Sequence, residues 1–255
     1  KQQPARMFGA LAVVAGMGTI LTLPYLAKQA GIVVDGNAAA YSVAQTEALV
    51  DSPLQGKTII FLGSSVTEGS GALGESFVDF IAKKDGIQPV KAAVSGTTLV
   101  DQDQNSYIPR MRAIDLALQA DAFVCQLSTN DATQDLPLGS VSSSRDPSAF
   151  DTQTVAGAVE YIIAYATTTW KAPVFFLTGT RYDSSRYGAM VDLLLQIQQK
   201  WGIGVIDLWN NPAMNAISNG QRALYMVDEI HPTRAGYREW WTPVIEQYLY
   251  EHLAE

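Results

Sequence analysis

Five short apolar runs, separated by helical patterns, constrain the fold of this chain more than any other feature. Each run is bounded by turn residues, as expected of strands that are covered on both faces of a sheet. The predicted strands are Thr58–Leu62, Val90–Val94, Ala122–Leu127, Val174–Leu177 and Gly204–Leu208. Because strands that alternate with helices form parallel sheets with helices on both faces, we predict an α/β domain with a five-stranded parallel sheet.

Two of the helical patterns are clear enough to place their ends. Apolar residues recur at helical spacing across 155–166, and Asp151 or the threonine after it is the predicted N-cap. The same spacing recurs across 237–248, with Thr233 as the predicted N-cap. Pro243 lies inside this second pattern and should kink the helix, because proline has no N–H to donate.

The amino-terminal part differs from the rest, since residues 7–27 carry no charged side chain. A helix of that length would be about 31 Å long, close to the hydrocarbon thickness of a bilayer. We therefore predict a hydrophobic helix at 1–28, acting as a membrane anchor or signal-like segment, then a linker or arm at 29–56 and the main domain at 57–255. This predicts an extracytoplasmic protein that is membrane-anchored or secreted. A buried amphipathic helix in a cytoplasmic protein is the alternative.

Charge and composition exclude several classes of function. The net charge of −8 argues against a nucleic-acid partner, because a duplex binder needs a dense basic face. A single cysteine excludes intrachain disulfides and cysteine-based zinc sites. With only two histidines, His231 and His252, imidazole chemistry has few places to occur.

His231 is the better candidate of the two for such chemistry. It follows Asp228 by three residues in V-D-E-I-H-P, so the carboxylate and the imidazole can meet within one turn. Asp228 could then orient Nδ1–H and leave Nε2 able to take a proton from a nucleophile. A surface-loop histidine without function is the alternative. His252 is expected on a solvated helix face.

The loop after the first strand, G-S-S-V-T-E-G, offers two candidate nucleophiles, Ser64 and Ser65. A serine hydroxyl needs a base to remove its proton, and His231 is the credible base in this chain. Capping serines in a simple turn are the alternative. The glycines that follow spell G-x-G-x-x-G over 69–74, but six residues separate this motif from the strand. A dinucleotide site is therefore not expected.

Two further strand ends carry residues that can stabilise negative charge. Gly96 lies after the second strand, where its backbone can approach a ligand closely, and Asn130 follows the third strand. Backbone N–H groups and an asparagine amide are typical donors to a developing oxyanion. Each residue also has a purely structural explanation: Gly96 as a turn glycine, and Asn130 as part of a helix start.

Taken in order, these motifs resemble those of the SGNH (GDSL-like) hydrolase family over about residues 57–250. The four matching blocks are F-L-G-S-S-V-T-E-G, V-S-G-T-T, L-S-T-N-D and D-E-I-H-P. The resemblance implies a three-layer α/β/α, flavodoxin-like fold that uses no metal and no organic cofactor. It also implies roles: Ser65 as the nucleophile, His231 as general base and then acid, and Asp228 as its orienter. The Ser65 and Gly96 N–H groups and the Asn130 side chain would form the oxyanion hole.

Two positions depart from the family pattern. Gly63-Ser64-Ser65 replaces the usual Gly-Asp-Ser, which removes a carboxylate beside the nucleophile. Ser128 stands where the usual Gly-x-Asn-Asp begins, which adds a Cβ at the end of the third strand.

The resulting prediction is a serine esterase that acts through an acyl-enzyme on short-chain, acetyl-type esters of glycans or small molecules. No long apolar lid is present in the main domain, which favours short acyl chains. Predicted substrate contacts are Ser64, Thr97, Arg181 and Tyr182. The alternatives are a lipase-like or thioesterase-like hydrolase for longer chains, and a non-catalytic glycan-binding module.

Overall fold

A computed structural model describes residues 35–253, which form a three-layer α/β/α domain around one parallel sheet. The strand order is β2-β1-β3-β4-β5, and every neighbouring pair is parallel. The strands are β1 (Thr58–Gly63), β2 (Gln88–Ala93), β3 (Ala122–Gln126), β4 (Val174–Leu177) and β5 (Gly204–Ile206). The five predicted strands are therefore confirmed, with ends that differ by one or two residues.

The helices lie on both faces of this sheet. They are α1 (Ser65–Glu68), α2 (Phe77–Asp85), α3 (Tyr107–Arg112), α4 (Thr129–Thr133), α5 (Val155–Thr169), α6 (Ser185–Trp201), α7 (Pro212–Asn215), α8 (Asn219–Tyr225), α9 (Arg234–Gly236) and α10 (Thr242–Leu253). A π-helical segment, Tyr237–Trp241, joins α9 to α10. Short 3₁₀ turns occur at Asp35–Asn37, Ala39–Tyr41, Val43–Gln45, Ser70–Ala72 and Pro147–Ala149.

Alternate residues of β1, β3, β4 and β5 enter two separate cores, which explains why these four runs are apolar throughout. Ile60 and Leu62 of β1 pack with α3, α5 and α6. Ile59 and Phe61 pack with α2, the π-helical segment and α10. Cys125 lies in the first core with no exposed surface, and burial raises the pKa of its thiol well above the usual value. It is a core residue.

The N-cap prediction for α5 was wrong by two or three residues. Thr154 caps this helix, and its Oγ1 accepts a hydrogen bond from the N–H of Gly157 at 3.2 Å. Asp151 instead uses its backbone carbonyl to accept from Thr154 N–H at 3.0 Å. Both residues are good caps, so composition alone did not decide between them.

The cap of the carboxyl-terminal helices agrees with the sequence, and a π-helical segment ends just before Pro243, where the sequence predicted a kink. Thr233 Oγ1 accepts from Gly236 N–H at 3.1 Å, as predicted for the N-cap. Ahead of Pro243 the helix widens, and Thr242 N–H donates to the carbonyl of Tyr237, five residues back. This π-helical turn is how the chain accommodates the proline, because π-bulges and prolines both disturb the i→i−4 ladder.

The described part of the amino-terminal arm, from Asp35, lies against the domain. Asn37 is buried, and its Nδ2 donates to the carbonyl of Gly71 at 3.0 Å while its Oδ1 accepts from Arg234 N–H at 3.0 Å. The uncharged segment 7–27 falls outside the described residues, so the predicted anchor stays a prediction. Within 35–253, no helix is both long and apolar enough to span a membrane.

Candidate active site

The carboxyl edge of the sheet brings together residues from the loops after β1, β2 and β3 and from the loop before α9. Ser65 opens α1, directly after the turn that ends β1, and is 6% exposed. Its Oγ lies 2.8 Å from Nε2 of His231, although 166 residues separate the two in sequence. The fold therefore makes the pair that the motifs predicted.

His231 is held on its other side by Asp228. Its Nδ1 lies 2.8 Å from Oδ2 and 3.0 Å from Oδ1 of that carboxylate. Oδ1 also accepts the backbone N–H groups of Ile230 and His231, both at 2.8 Å. Burial alone would raise the pKa of Asp228, but the hydrogen bond and charge of His231 and these N–H groups outweigh it, and the pKa is lowered. Asp228 is therefore a carboxylate that fixes the imidazole and leaves Nε2 directed at Ser65.

The loop that carries this pair is closed by backbone bonds. Val227 N–H donates to the carbonyl of His231 at 2.8 Å, and Met226 bridges Pro232 in antiparallel fashion. The loop therefore resists opening between Asp228 and His231.

The glycine-rich stretch 69–74 packs against this histidine and has a structural explanation. A Cβ built on Gly71 would lie 2.8 Å from His231 Cβ and 2.4 Å from the carbonyl oxygen of Pro232. Gly69 and Gly74 both have a φ of +87°, which favours glycine. The G-x-G-x-x-G pattern thus serves turns and a close approach to His231.

The candidate oxyanion donors lie on the adjoining loops. Gly96 has a φ of +81° and is exposed, while Asn130 is half-buried at the start of α4. Asn130 Nδ2 donates to the carbonyl of Thr97 at 2.8 Å, which places this amide beside the Gly96 loop. Gly96 and Asn130 are therefore brought to one place, next to the loop of Ser65.

Ser128, the departure at the end of β3, fits without strain. Its φ of −70° and ψ of 129° are extended values open to any residue. Its Oγ accepts from Asn130 N–H at 3.1 Å and lies 3.3 Å from the Thr97 carbonyl, to which it donates. The added side chain therefore caps α4 and helps to hold the Thr97 loop.

Asp131 also holds this region, a role that the sequence did not suggest beyond a helix start. It has no exposed surface, and its two oxygens accept from Leu99 N–H at 2.8 Å and Val100 N–H at 2.9 Å. Burial raises the pKa of this carboxyl, while these hydrogen bonds act in the opposite direction and only partly compensate. Asp131 thereby ties α4 to the loop after β2.

Gln126, at the end of β3, holds the Ser65 turn through hydrogen bonds to Ser64 and Thr67. Its Oε1 accepts from Ser64 N–H at 3.0 Å, Thr67 N–H at 3.0 Å and Thr67 Oγ1 at 2.7 Å. Its Nε2 donates to Ser64 Oγ at 3.1 Å. The sequence motifs do not include Gln126, and the signal that the sequence offers is a polar residue within the apolar strand F-V-C-Q-L.

Two of the predicted substrate contacts are buried and two are more exposed. Ser64 has no exposed surface and Thr97 is 8% exposed, and both bond to neighbouring protein groups. Arg181 is exposed, and its guanidinium lies 5.4 Å from the ring centroid of Trp209. Tyr182 is half-buried and packs against the same tryptophan. Substrate contact by these residues stays a prediction.

A small cavity of about 10 Å³ lies next to the site. Val66, Thr129 and Ile230, which neighbour Ser65, Asn130 and His231 in sequence, contribute to its wall together with Tyr182. That volume is close to the room taken by one water-sized probe. Among residues 35–253, no group of three or more His, Cys, Asp or Glu side chains is arranged to hold a metal ion.

Solved structures with the same fold support this reading of the architecture. A protein from Lactobacillus plantarum is 23% identical, with a TM-score of 0.64 over 78% of this chain and 98% of its own. A member of the lipolytic protein G-D-S-L family from Veillonella parvula DSM 2008 is 18% identical, with a TM-score of 0.52 over 76% and 97%. A family two carbohydrate esterase from Clostridium thermocellum, solved with cellohexaose, is 14% identical, with a TM-score of 0.54 over 80% and 66%.

Sequence comparison identifies the family directly. A search of curated proteins gave no significant match. The model of the GDSL-like lipase/acylhydrolase family matches residues 61–239, which include Ser65, Gly96, Asn130, Asp228 and His231. This match covers more than half of the chain, and the five-stranded fold agrees with it. The chain belongs to the GDSL-like lipase/acylhydrolase family.

Proposed function

We propose that the protein is a serine esterase that hydrolyses carboxylic esters through an acyl-enzyme. One observation carries the proposal: Ser65 Oγ lies 2.8 Å from His231 Nε2, whose Nδ1 lies 2.8 Å from Asp228 Oδ2. This is the order of nucleophile, base and orienting carboxylate that acyl transfer requires.

In the acylation step, His231 Nε2 takes the hydroxyl proton as Ser65 Oγ attacks the ester carbonyl. Negative charge then develops on the carbonyl oxygen, where the N–H groups of Ser65 and Gly96 and the amide of Asn130 stabilise it. Collapse of this tetrahedral species breaks the bond to the alcohol oxygen, which leaves with the proton from His231. Asp228 stabilises the transient imidazolium and stays ionised, in agreement with its lowered pKa.

The deacylation step repeats this chemistry with water as the nucleophile. His231 removes a proton from the water, which attacks the acyl carbonyl, and then returns the proton to Ser65 Oγ. The products are a carboxylic acid and a regenerated serine, so neither step needs a redox partner or a metal ion.

For the substrate, we propose short acyl groups such as acetyl, carried by a glycan or a small alcohol. The main domain carries no long apolar segment in its sequence that could cover a fatty acyl chain, which supports a short acyl group. A glycan alcohol is supported by the similar fold of a carbohydrate esterase and by the exposed Arg181 in the loop after β4.

The test is hydrolysis of p-nitrophenyl esters of increasing acyl length and of acetylated sugars by the purified protein. We expect the highest kcat/KM with acetyl, and Ser65→Ala or His231→Ala should each lower kcat by about 10⁴-fold. His252→Ala is the matched control, because this second histidine is exposed and stacks on Tyr248 on the last helix.

Two results would contradict the proposal. Undiminished hydrolysis by the Ser65→Ala variant would remove Ser65 from the chemistry. Failure of the unaltered protein to form a covalent adduct at Ser65 with a fluorophosphonate would favour the non-catalytic glycan-binding alternative. A preference for acyl chains beyond about eight carbons would keep the esterase proposal but replace the short-chain substrate with a lipid.

A further inference from the structure

The position of the Gly96 N–H is set by its neighbours in sequence, because Gly96 is exposed and has no side chain to hold it. A Cβ built on this residue would meet no atom within 4 Å, and its φ of +81° belongs to an exposed turn. The N–H of Gly96 is part of the peptide that joins it to Ser95. Whatever holds Ser95 and Thr97 therefore decides where this N–H points.

Glu68 holds Ser95. Its Oε2 accepts from the backbone N–H of Ser95 at 2.9 Å and also accepts from the Ser95 hydroxyl. Glu68 is the last residue of the four-residue helix that Ser65 begins. One turn of helix therefore links Ser65 to Ser95, the residue directly before the Gly96 N–H.

Arg110 holds Thr97, on the other side of the glycine. One of its terminal nitrogens donates to Thr97 Oγ1 and to the carbonyl of Gly63, both at 2.9 Å, and the other donates to the carbonyl of Ala92 at 2.5 Å. Burial lowers the pKa of this guanidinium, and the negative charge of Glu68 acts in the opposite direction. The Gly96 loop is therefore tied at both ends to groups that adjoin Ser65.

We propose that Glu68 is a positioning residue that sets the distance between Ser65 and the Gly96 N–H donor. The inference rests on the proposed esterase function. An oxyanion donor must lie within about 2.7–3.1 Å of the charge that develops on the carbonyl oxygen. Loss of the Glu68 tie would let the Ser95–Gly96 peptide move, which weakens binding of the transition state and not of the ester in its ground state. The tie needs an acceptor oxygen and not a charge, so a glutamine should replace it.

The experiment compares Glu68→Ala and Glu68→Gln in the full chain, with p-nitrophenyl acetate as substrate. We expect Glu68→Ala to lower kcat by about 10–100-fold with KM changed by less than about threefold, because a displacement near 1 Å is costly for catalysis. Glu68→Gln should recover kcat to within about fivefold, since a neutral acceptor gives a weaker but similar bond. Glu251→Ala, at an exposed position on α10, is the matched control and should behave as the unaltered protein.

A double variant shows whether Glu68 acts through the oxyanion site. If it does, adding Asn130→Ala to Glu68→Ala should lower kcat by clearly less than the product of the two separate losses, because both act on the same charge. A kcat for Glu68→Ala equal to that of the unaltered protein would overturn the inference. A Glu68→Gln variant with a kcat as low as that of Glu68→Ala would also overturn it. So would a double variant whose loss in kcat equals the product of the losses of Glu68→Ala and Asn130→Ala.

Failure of this inference is distinguishable from failure of the proposed function. If the unaltered protein hydrolyses the ester and labels at Ser65 while Glu68→Ala is undamaged, only the role of Glu68 is wrong. If the unaltered protein neither hydrolyses esters nor labels at Ser65, the esterase proposal fails and the inference fails with it.

Discussion

Buried carboxylates behave in opposite ways at the two edges of the sheet. At the carboxyl edge, Asp228 accepts three N–H donors from Ile230 and His231, and its pKa is lowered. At the amino edge, Glu246 of α10 accepts from Lys84 at 2.5 Å and lies beside Asp85, and its pKa is raised to about 7. Burial is the largest contribution there, and the charge of Asp85 adds to it while Lys84 opposes it.

The difference teaches that donors, and not depth, decide the charge of a buried carboxyl. Asp228 is surrounded by N–H groups that stabilise its ionised form. Asp85 already accepts from the hydroxyls of Ser52 and Tyr250, so it adds negative charge beside Glu246. The surroundings of Glu246 therefore favour its protonated form, whereas those of Asp228 favour a carboxylate that can support an imidazolium.

The two pairs should respond to pH in opposite directions. The lowered pKa of Asp228 means that its stabilising contribution is present above the ordinary pKa of an aspartate and is lost as the pH falls through the folded value. The raised pKa of Glu246 means that the folded state holds its proton more tightly. Its contribution is present below about 4.5, the ordinary value, and is lost as the pH rises to about 7.

The largest effect on activity should come from removing the negative charge of Asp228 at the carboxyl edge. Asp228→Asn should lower kcat by about 10⁴-fold, because an amide can still accept the two backbone N–H bonds but cannot stabilise an imidazolium. Steady-state kinetics with a short-chain ester, together with circular dichroism, measure this. Asp192→Asn on the exposed face of α6 is the matched control. Loss of less than tenfold with an intact fold would count against the role of Asp228.

A smaller effect on activity should follow from removing Gln126, a neutral hydrogen-bond acceptor at the carboxyl edge. Gln126→Ala leaves the N–H groups of Ser64 and Thr67 without their partner, so the Ser65 turn should shift and kcat should fall by about 10²-fold. The rate of fluorophosphonate labelling at Ser65 should fall in parallel. Gln196→Ala, exposed on α6, is the control. An unchanged labelling rate would show that the turn keeps its shape without Gln126.

At the amino edge we expect an effect on stability alone. From about pH 5 to about pH 8, the Tm of the unaltered protein should fall by about 5 °C more than that of Glu246→Gln, which cannot titrate. Thermal unfolding at a series of pH values measures this, with Glu251→Gln as the exposed control on the same helix. Parallel curves for Glu246→Gln and the unaltered protein would mean that Glu246 is already ionised in the fold. Ester hydrolysis at neutral pH should not change.

The smallest effect should come from removing an uncharged helix cap. Thr154→Ala removes the cap of α5 and should lower the free energy of unfolding by about 1 kcal/mol at every pH. Thr152→Ala should change it by less than about 0.5 kcal/mol. Urea unfolding at two pH values measures both. A loss for Thr154→Ala that varied with pH would show that the cap is coupled to one of the carboxyl pairs.

Sequence alone predicted the fold and the loops of the site because both depend on local patterns. Apolar runs between helical segments identify buried parallel strands, and the loops after such strands, including those of Ser65 and Asn130, lie at one edge of the sheet. His231 and Asp228 were recognisable because three residues separate them, so their contact forms within a single turn. These features need no knowledge of tertiary packing.

The supporting residues were not predictable, because their roles depend on contacts between distant segments. Gln126 meets the Ser64 turn only through the pairing of β1 with β3, and Glu68 meets Ser95 only because β2 lies beside β1. Asp131 looked like the start of a helix, and its bonds to Leu99 and Val100 appear only when the loop after β2 folds over α4. Hydrophobic periodicity predicts helices and strands, but it does not predict which polar side chains at strand ends will bond to other loops.

The close contact at Gly71 has a consequence for the entropy of the reaction. Because Gly71 has only a hydrogen as its side chain, the backbone of the turn lies directly against the Cβ of His231. Asn37 holds the turn by donating a hydrogen bond to the carbonyl of Gly71. The imidazole therefore has few rotamers to choose from before any ester arrives. The orientational freedom of the general base is lost once, when the chain folds, and need not be lost again in each turnover.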